Sequence, residues 1–353
     1  MAMPPKCRNA SVLESSMKFN IRLVAYLCMY IFGTTALLAQ GANPVLIALF
    51  GLISVITVML LRFARPRIEP LPEAVVLDEN GVPPLTPRGA AMKKELDMAH
   101  RVQQALLSGA PPTHPQLKIA RRCDSANSVG GDFYCFAAQS FSELQEKPRR
   151  VGIASYVGVH DECVGVSIGD VAGHGVSSAL VMALSSGLIS EISHSERRPS
   201  VILSKANNQI LKHIENSQVA YVTCAFATFF PTQRKMVLSV AGHPPVFIVH
   251  ANGNVTKLVV SGVFLGMFSG EQYEEKMINL EIGDRVVFYT DGLSETRNAA
   301  GEEFGVERIE SVLVASVDSD LNAAMARVYD EVVAFSDNAP SKDDRTLVLV
   351  EMC

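Results

Sequence analysis

Two long apolar runs open the chain, and short alternating runs fill most of the remainder. Phe19 to Gln40 is apolar or neutral apart from Arg22, and Val45 to Leu61 is apolar apart from Ser54 and Thr57. Each run is close to the roughly 20 residues that cross a bilayer as a helix. Only Gly41-Ala42-Asn43-Pro44 separates them, so residues 19–62 are expected to form a transmembrane helical hairpin. A signal peptide fits less well, because a second span follows at once and no small-residue cleavage site is evident. Lys and Arg flank both ends of the hairpin and are missing from its turn. The positive-inside rule then puts everything after Arg62 in the cytoplasm and the hairpin in the plasma or inner membrane, as a multi-pass anchor.

A helical period starts near Ala90. Met92, Leu96, Ala99, Val102 and Leu106 recur at spacings of three and four until Gly109-Ala110-Pro111-Pro112 stops them. This helix has two readings: one face packs on the domain that follows, or it dimerises two chains and transmits a signal. Beyond it, strand-like runs are expected at Lys118–Arg121, Val164–Ile168, Tyr221–Phe230, Met236–Val240, Val246–His250, Val255–Val259, Lys276–Leu280, Val286–Tyr289 and Thr346–Val350. Helical runs are expected at Ser177–Glu191, Ser200–Ile214, Val306–Val314 and Leu321–Phe335. Consecutive strands are joined by short turns such as Asn252-Gly253-Asn254, and helices cluster rather than alternate with strands. That order favours an α+β architecture of antiparallel layers over a doubly wound parallel sheet.

Composition divides the chain in the same place. Mean hydropathy is +0.21 with 48% apolar residues, and the excess lies in the hairpin. Residues 1–68 hold seven Lys and Arg against Glu14, a balance of +6, so the rest carries −11 of the net −5. An acidic main domain without a basic stripe excludes nucleic acid as an expected partner. The seven scattered cysteines include no CxxC pair, which fits small buried residues in a reducing compartment rather than a disulfide framework or zinc site. The expected order is a disordered N-terminus (1–18), the hairpin (19–62), a linker rich in proline (63–89), the helix (90–110) and a mixed α/β domain (111–353).

Chemistry concentrates where apolar strands meet loops. Ser167-Ile168-Gly169-Asp170-Val171-Ala172-Gly173-His174-Gly175 ends a strand in an acid and a glycine-rich turn. Val129-Gly130-Gly131-Asp132-Phe133-Tyr134, Thr290-Asp291-Gly292-Leu293-Ser294-Glu295 and Lys342-Asp343-Asp344-Arg345-Thr346 present acids in similar settings. One such aspartate would be read as a turn former. Four sets of carboxylates without a His/Cys ligand set instead suit hard cations, Mg²⁺ or Mn²⁺. A pair of such ions lowers the pKa of a bound water and presents a nucleophile for in-line attack on phosphorus.

These turns, in this order, resemble the metal-dependent serine/threonine phosphatases of the PPM (protein phosphatase 2C) superfamily, and more narrowly its bacterial SpoIIE/RsbU-type branch. Ala241-Gly242-His243-Pro244-Pro245, Gln104-Ala105-Leu106-Leu107 and Asn207 match the same branch. The resemblance implies two packed antiparallel sheets flanked by helices, with two metals at one end. It implies that Asp132 and Asp170 hold the metals, with Asp170 bridging, and that the Val171 carbonyl, Asp291 and Asp343 complete the shell. Asp344, His174 and Glu295 are expected to orient these ligands, with Arg297 beside the third turn; His243 is expected to anchor its loop. Eukaryotic members grip phosphate with an arginine near the N-terminus, and Arg121 and Arg122 lie in the matching region. The implied function is a membrane-anchored protein serine/threonine phosphatase acting on a phosphorylated regulator such as an anti-sigma-factor antagonist. It would form a homodimer through residues 90–107. The alternatives are a pseudo-phosphatase scaffold and a phosphatase of small esters. Lys147-Pro148-Arg149-Arg150 reads as a solvated basic loop.

Overall fold

A computed structural model describes residues 87–107, 109–139, 162–215 and 221–353. The chain divides into two units, residues 1–84 and 85–353, and all described residues belong to the second. The expected hairpin, the N-terminal segment, most of the proline-rich linker and the Lys147–Arg150 loop lie outside the described residues.

Among the described residues, ten strands form two antiparallel sheets. β1 (Leu117–Asp124), β10 (Arg345–Met352), β9 (Arg285–Tyr289), β6 (Val246–Val249) and β7 (Val255–Leu258) lie in that order in one sheet. The other runs β2 (Phe133–Gln139), β3 (Cys163–Val171), β4 (Val222–Phe230), β5 (Lys235–Ala241) and β8 (Lys276–Asn279). Side-chain alternation explains the layering. Val164, Val166 and Ile168 of β3 share one buried cluster with Ala225, Ala227 and Phe229 of β4, Val286 and Phe288 of β9, and Val348 and Val350 of β10. The two sheets therefore face each other across this cluster.

The outer faces are covered by helices. α2 (Val176–Ser195) and α3 (Pro199–Ile214) bury Met182, Ile189, Ile202 and Ile210 with Phe133 and Phe226 of the second sheet. α5 (Val306–Val314) and α6 (Leu321–Phe335) bury Ile309, Leu313, Val328 and Tyr329 against Phe247, Val287 and Leu349 of the first. The short turn α4 (Asp291–Ser294) lies between β9 and α5. α2 is long and apolar enough to cross a membrane by length and composition, but its inner face belongs to this core.

Two expectations need correction. β2 was not anticipated, because Phe133-Tyr134-Cys135-Phe136 is apolar without alternation. Phe133 joins the helix-side cluster and Phe136 the cluster between the sheets, so neighbouring residues pack on opposite faces. The other concerns the helix before the domain, α1 (Pro87–Leu107). Its Met92, Val102 and Leu106 are 62%, 64% and 54% exposed, whereas Gln103 and Leu107 are buried. The helix packs on the domain through a face next to the expected apolar stripe, and most of the stripe stays open.

Candidate active site

Alternation also decides what stands at the end of the sandwich. Thr290 continues the inward series Val286–Phe288, and Thr346 precedes the inward series Val348–Val350. Asp170 continues Val166–Ile168, and Asp132 precedes Tyr134–Phe136 with the same parity. Hydroxyls and carboxylates thus replace the apolar filling just where the strands end.

Asp132 is 3% exposed. Its Oδ2 accepts hydrogen bonds from Thr290 Oγ1 (2.7 Å) and Thr346 Oγ1 (2.6 Å). Burial, followed by the charge of Asp170, still holds its carboxyl well above the usual carboxylate range, while Thr346 and Thr290 pull it down. Leaving a buried charge uncompensated costs several kcal/mol. Two bonds at about 1.5–3 kcal/mol each offset only part of that cost. A cation would offset the rest.

Asp170 is the electrostatic hub. Burial, then Asp291 and Asp343, push its carboxyl up to about 7, and a hydrogen bond with Asp132 opposes them. Asp291 is raised by burial and then by Glu295. Asp343 is raised by burial and by Asp291 and Asp344, and lowered by His174. Like charges disfavour one another's ionised form, so this pattern marks carboxylates gathered around one space.

The two acids of the fourth turn take different positions. Asp344 is 7% exposed, and its carboxylate accepts hydrogen bonds from Ala126 N (2.8 Å) and Gly131 N (2.6 Å). It fixes the loop that carries Asp132. Asp343 is exposed and faces the cluster electrostatically. A Cβ on Gly130 would stand 2.1 Å from Asp344 Oδ2, so only glycine admits this clamp. A Cβ on Gly131 would stand 2.9 Å from the Val171 carbonyl oxygen and 3.2 Å from Asp170 Oδ1. The missing side chain leaves an oxygen-lined cradle.

That donor set fits Mg²⁺ or Mn²⁺: every candidate ligand is oxygen, and the carboxylates oppose one another without a cation. Among the described residues, no three His, Cys, Asp or Glu side chains are arranged to hold a metal ion.

The remaining expected residues divide. His174 and Glu295 are exposed and act on Asp343 and Asp291 through charge. Arg297 turns to Glu303 and the Gly301 carbonyl rather than supporting the third turn. Arg122 makes a bidentate pair with Asp124 and lies 4.0 Å over the Tyr329 ring, while Arg121 lies over Tyr134 and Phe136. Both arginines are engaged by the protein. Asn207, fully buried on α3, donates to Phe268 O and accepts from Gly266 N, anchoring residues 266–268. His243 is buried, which pushes its pKa down to about 3, and its Nδ1 lies 3.0 Å from Thr223 Oγ1.

The sequence reading missed Thr223, Thr290, Thr346 and Gln103. The threonines were findable as polar positions extending inward alternations. Gln103 was not, because its contact is with backbone: Nε2 donates to Gly130 O (2.7 Å) and Oε1 accepts from Gly130 N (3.0 Å).

Two antiparallel sheets between helix layers, with carboxylates at one end, define a PP2C-type domain. The model of "Stage II sporulation protein E (SpoIIE)" matches residues 160–352, more than half of the chain, and the chain belongs to that family. Among curated relatives it is similar to phosphoserine phosphatase RsbU of Bacillus subtilis, 24% identical over 262 residues that cover 73% of this chain and 70% of RsbU. It is 22% identical to phosphoserine phosphatase RsbP of the same organism over 205 residues, covering 58% of this chain and 46% of RsbP. Among solved structures, the SiaA-PP2C domain of Pseudomonas aeruginosa has the same fold, with TM-score 0.60, 19% identity, and coverage of 76% of this chain and 99% of that one. The RsbU and RsbW domains of Rv1364c from Mycobacterium tuberculosis align with TM-score 0.53 at 21% identity, over 68% of this chain and 61% of that one.

Proposed function

We propose that this chain is a metal-dependent protein phosphatase that hydrolyses phosphoserine or phosphothreonine on a regulatory protein, of the anti-sigma-factor-antagonist kind, at the cytoplasmic face of a membrane. The carboxylate cluster carries this reading, and the likeness to RsbU, named a phosphoserine phosphatase, supports it. Asp132, Asp170, the Val171 carbonyl, Asp291 and Asp343 would hold the Mn²⁺ or Mg²⁺ ions. When bound, the ions supply a water of lowered pKa and neutralise charge on the phosphoryl group.

The chain's own residues set the geometry. Thr290 and Thr346 fix the rotamer of Asp132, and Asp344 fixes the backbone on which it stands. The sandwich core behind Asp132 and Asp170 excludes solvent from the rear of the site. The membrane hairpin would keep the domain near its partner. The exposed Met92, Val102 and Leu106 of α1 would join two copies.

The test is phosphate release from phosphoserine and phosphothreonine proteins by the purified chain in Mn²⁺, with an Asp291→Asn variant used to trap and identify the substrate. Turnover that disappears on chelation and returns with Mn²⁺ is expected. A chain that binds substrate but never turns it over would mark a scaffold instead. A preference for small esters over every phosphoprotein would overturn the substrate class.

A further inference from the structure

We propose that His243 is a positioning residue for Asp170, acting through the hydroxyl of Thr223. The inference rests on the reading of Asp170 as a metal-holding carboxylate. His243 lies in the link between β5 and β6, far in sequence from every acidic turn, and is 7% exposed. Its backbone is set from both sides. Pro244 and Pro245 follow with fixed φ, and the Phe264 ring lies 2.3 Å from where a Cβ of Gly242 would stand.

The contact chain is short. The Asp170 backbone N–H donates to Thr223 Oγ1 at 3.0 Å, and that oxygen shares a 3.0 Å hydrogen bond with His243 Nδ1. A threonine hydroxyl has one proton. Its oxygen accepts from the Asp170 N–H and keeps both its proton and a second lone pair for Nδ1, so the contact with the ring is held whichever ring nitrogen carries the imidazole proton. The ring thus orients the hydroxyl, and the hydroxyl holds the amide of the central carboxylate. The Tyr289 backbone also lies against the ring, one residue before the Thr290-Asp291 turn. One side chain therefore touches the supports of two acidic turns. Burial keeps the ring uncharged, so it holds Asp170 without adding a cation that would compete with a metal.

The experiment measures Mn²⁺ binding to the full chain by calorimetry, alongside thermal melts. Asparagine keeps a polar atom near the place of Nδ1, and glutamine near the place of Nε2. Removing a group that orients a metal ligand typically lowers metal affinity about 10–100-fold, and that loss is expected for His243→Gln and Thr223→Val. His243→Asn and Thr223→Ser should keep Mn²⁺ affinity within about threefold of the parent, because the hydrogen-bonding atom survives. The double variant Thr223→Val/His243→Gln should bind no more weakly than its weaker parent, the signature of one shared pathway.

Unchanged Mn²⁺ affinity in Thr223→Val and His243→Gln, with only a lower melting temperature, would overturn the proposal and leave His243 a packing residue. Losses that multiply in the double variant would overturn it too. If His243→Gln does not fold, Thr223→Val against Thr223→Ser carries the test. Asp170→Asn separates the two layers of the argument. If it binds Mn²⁺ like the parent, the reading of Asp170 fails. If it loses Mn²⁺ while the Thr223 variants do not, only the relay fails.

Discussion

Asp132 shows how much of a site is made by residues without chemistry of their own. Its Oδ2 is held by two threonines, Thr290 just past the end of β9 and Thr346 in β10, each 1% exposed or less. Thr346→Val should leave the fold intact and weaken Mn²⁺ binding about 10–100-fold, as calorimetry would show, because it frees the carboxylate to rotate. The raised carboxyl of Asp170 gives a second prediction. A carboxyl whose pKa is higher folded than unfolded takes up a proton on folding, so its contribution to stability is present at low pH and lost as pH rises. The metal-free chain should therefore lose stability from about pH 4, the unfolded value, to about 7, the folded one. Added Mn²⁺ should raise the melting temperature most above that window. A melting temperature flat across it would contradict the assigned cluster. The acids were legible in the sequence because each stands where an apolar strand meets a loop, Asp132, Asp170 and Asp291 beside a glycine. The threonines were legible only as polar positions extending inward alternations, a pattern that does not by itself mark a strand-end threonine as part of a site.

At the level of elements, the helices and most strands were legible as apolar runs of helix or strand length bounded by turn residues. β2 escaped because apolar residues on both faces erase the alternation. α1 was legible as a helix but not in its facing. Gln103 spends two hydrogen bonds on Gly130, two residues before Asp132, and so ties the helix to the loop of the first acid. Gln103→Ala leaves a buried backbone donor and acceptor unpaired, a cost of roughly 1–3 kcal/mol for each group. It should lower turnover more than it lowers thermal stability, as paired rate and melting measurements would show. Val102→Glu and Leu106→Glu, on the open face, should leave the isolated domain's turnover unchanged and abolish any dimer seen by light scattering. A dimer that persists would remove α1 as the joining surface.

For the whole molecule, the charge asymmetry separates a basic first segment from an acidic domain. The proposed arrangement places catalysis beside a membrane rather than in bulk cytoplasm. Full-length chain should fractionate with membranes and resist extraction by high salt, while residues 90–353 should be released. Recovery of the full-length chain in the soluble fraction would refute the hairpin. Family and fold were legible because the acidic turns keep a fixed order along the chain. The substrate was not, because the turns carry the expected metal ligands and say nothing of the protein that bears the phosphate.

The central claim is that Asp170 joins the carboxylates into one metal-dependent site. Its most direct test is the turnover of Asp170→Asn on a phosphoserine protein in saturating Mn²⁺, with folding followed by circular dichroism. A folded variant whose phosphate release falls to background is the predicted result. A folded variant that retains the parent's rate would contradict the account.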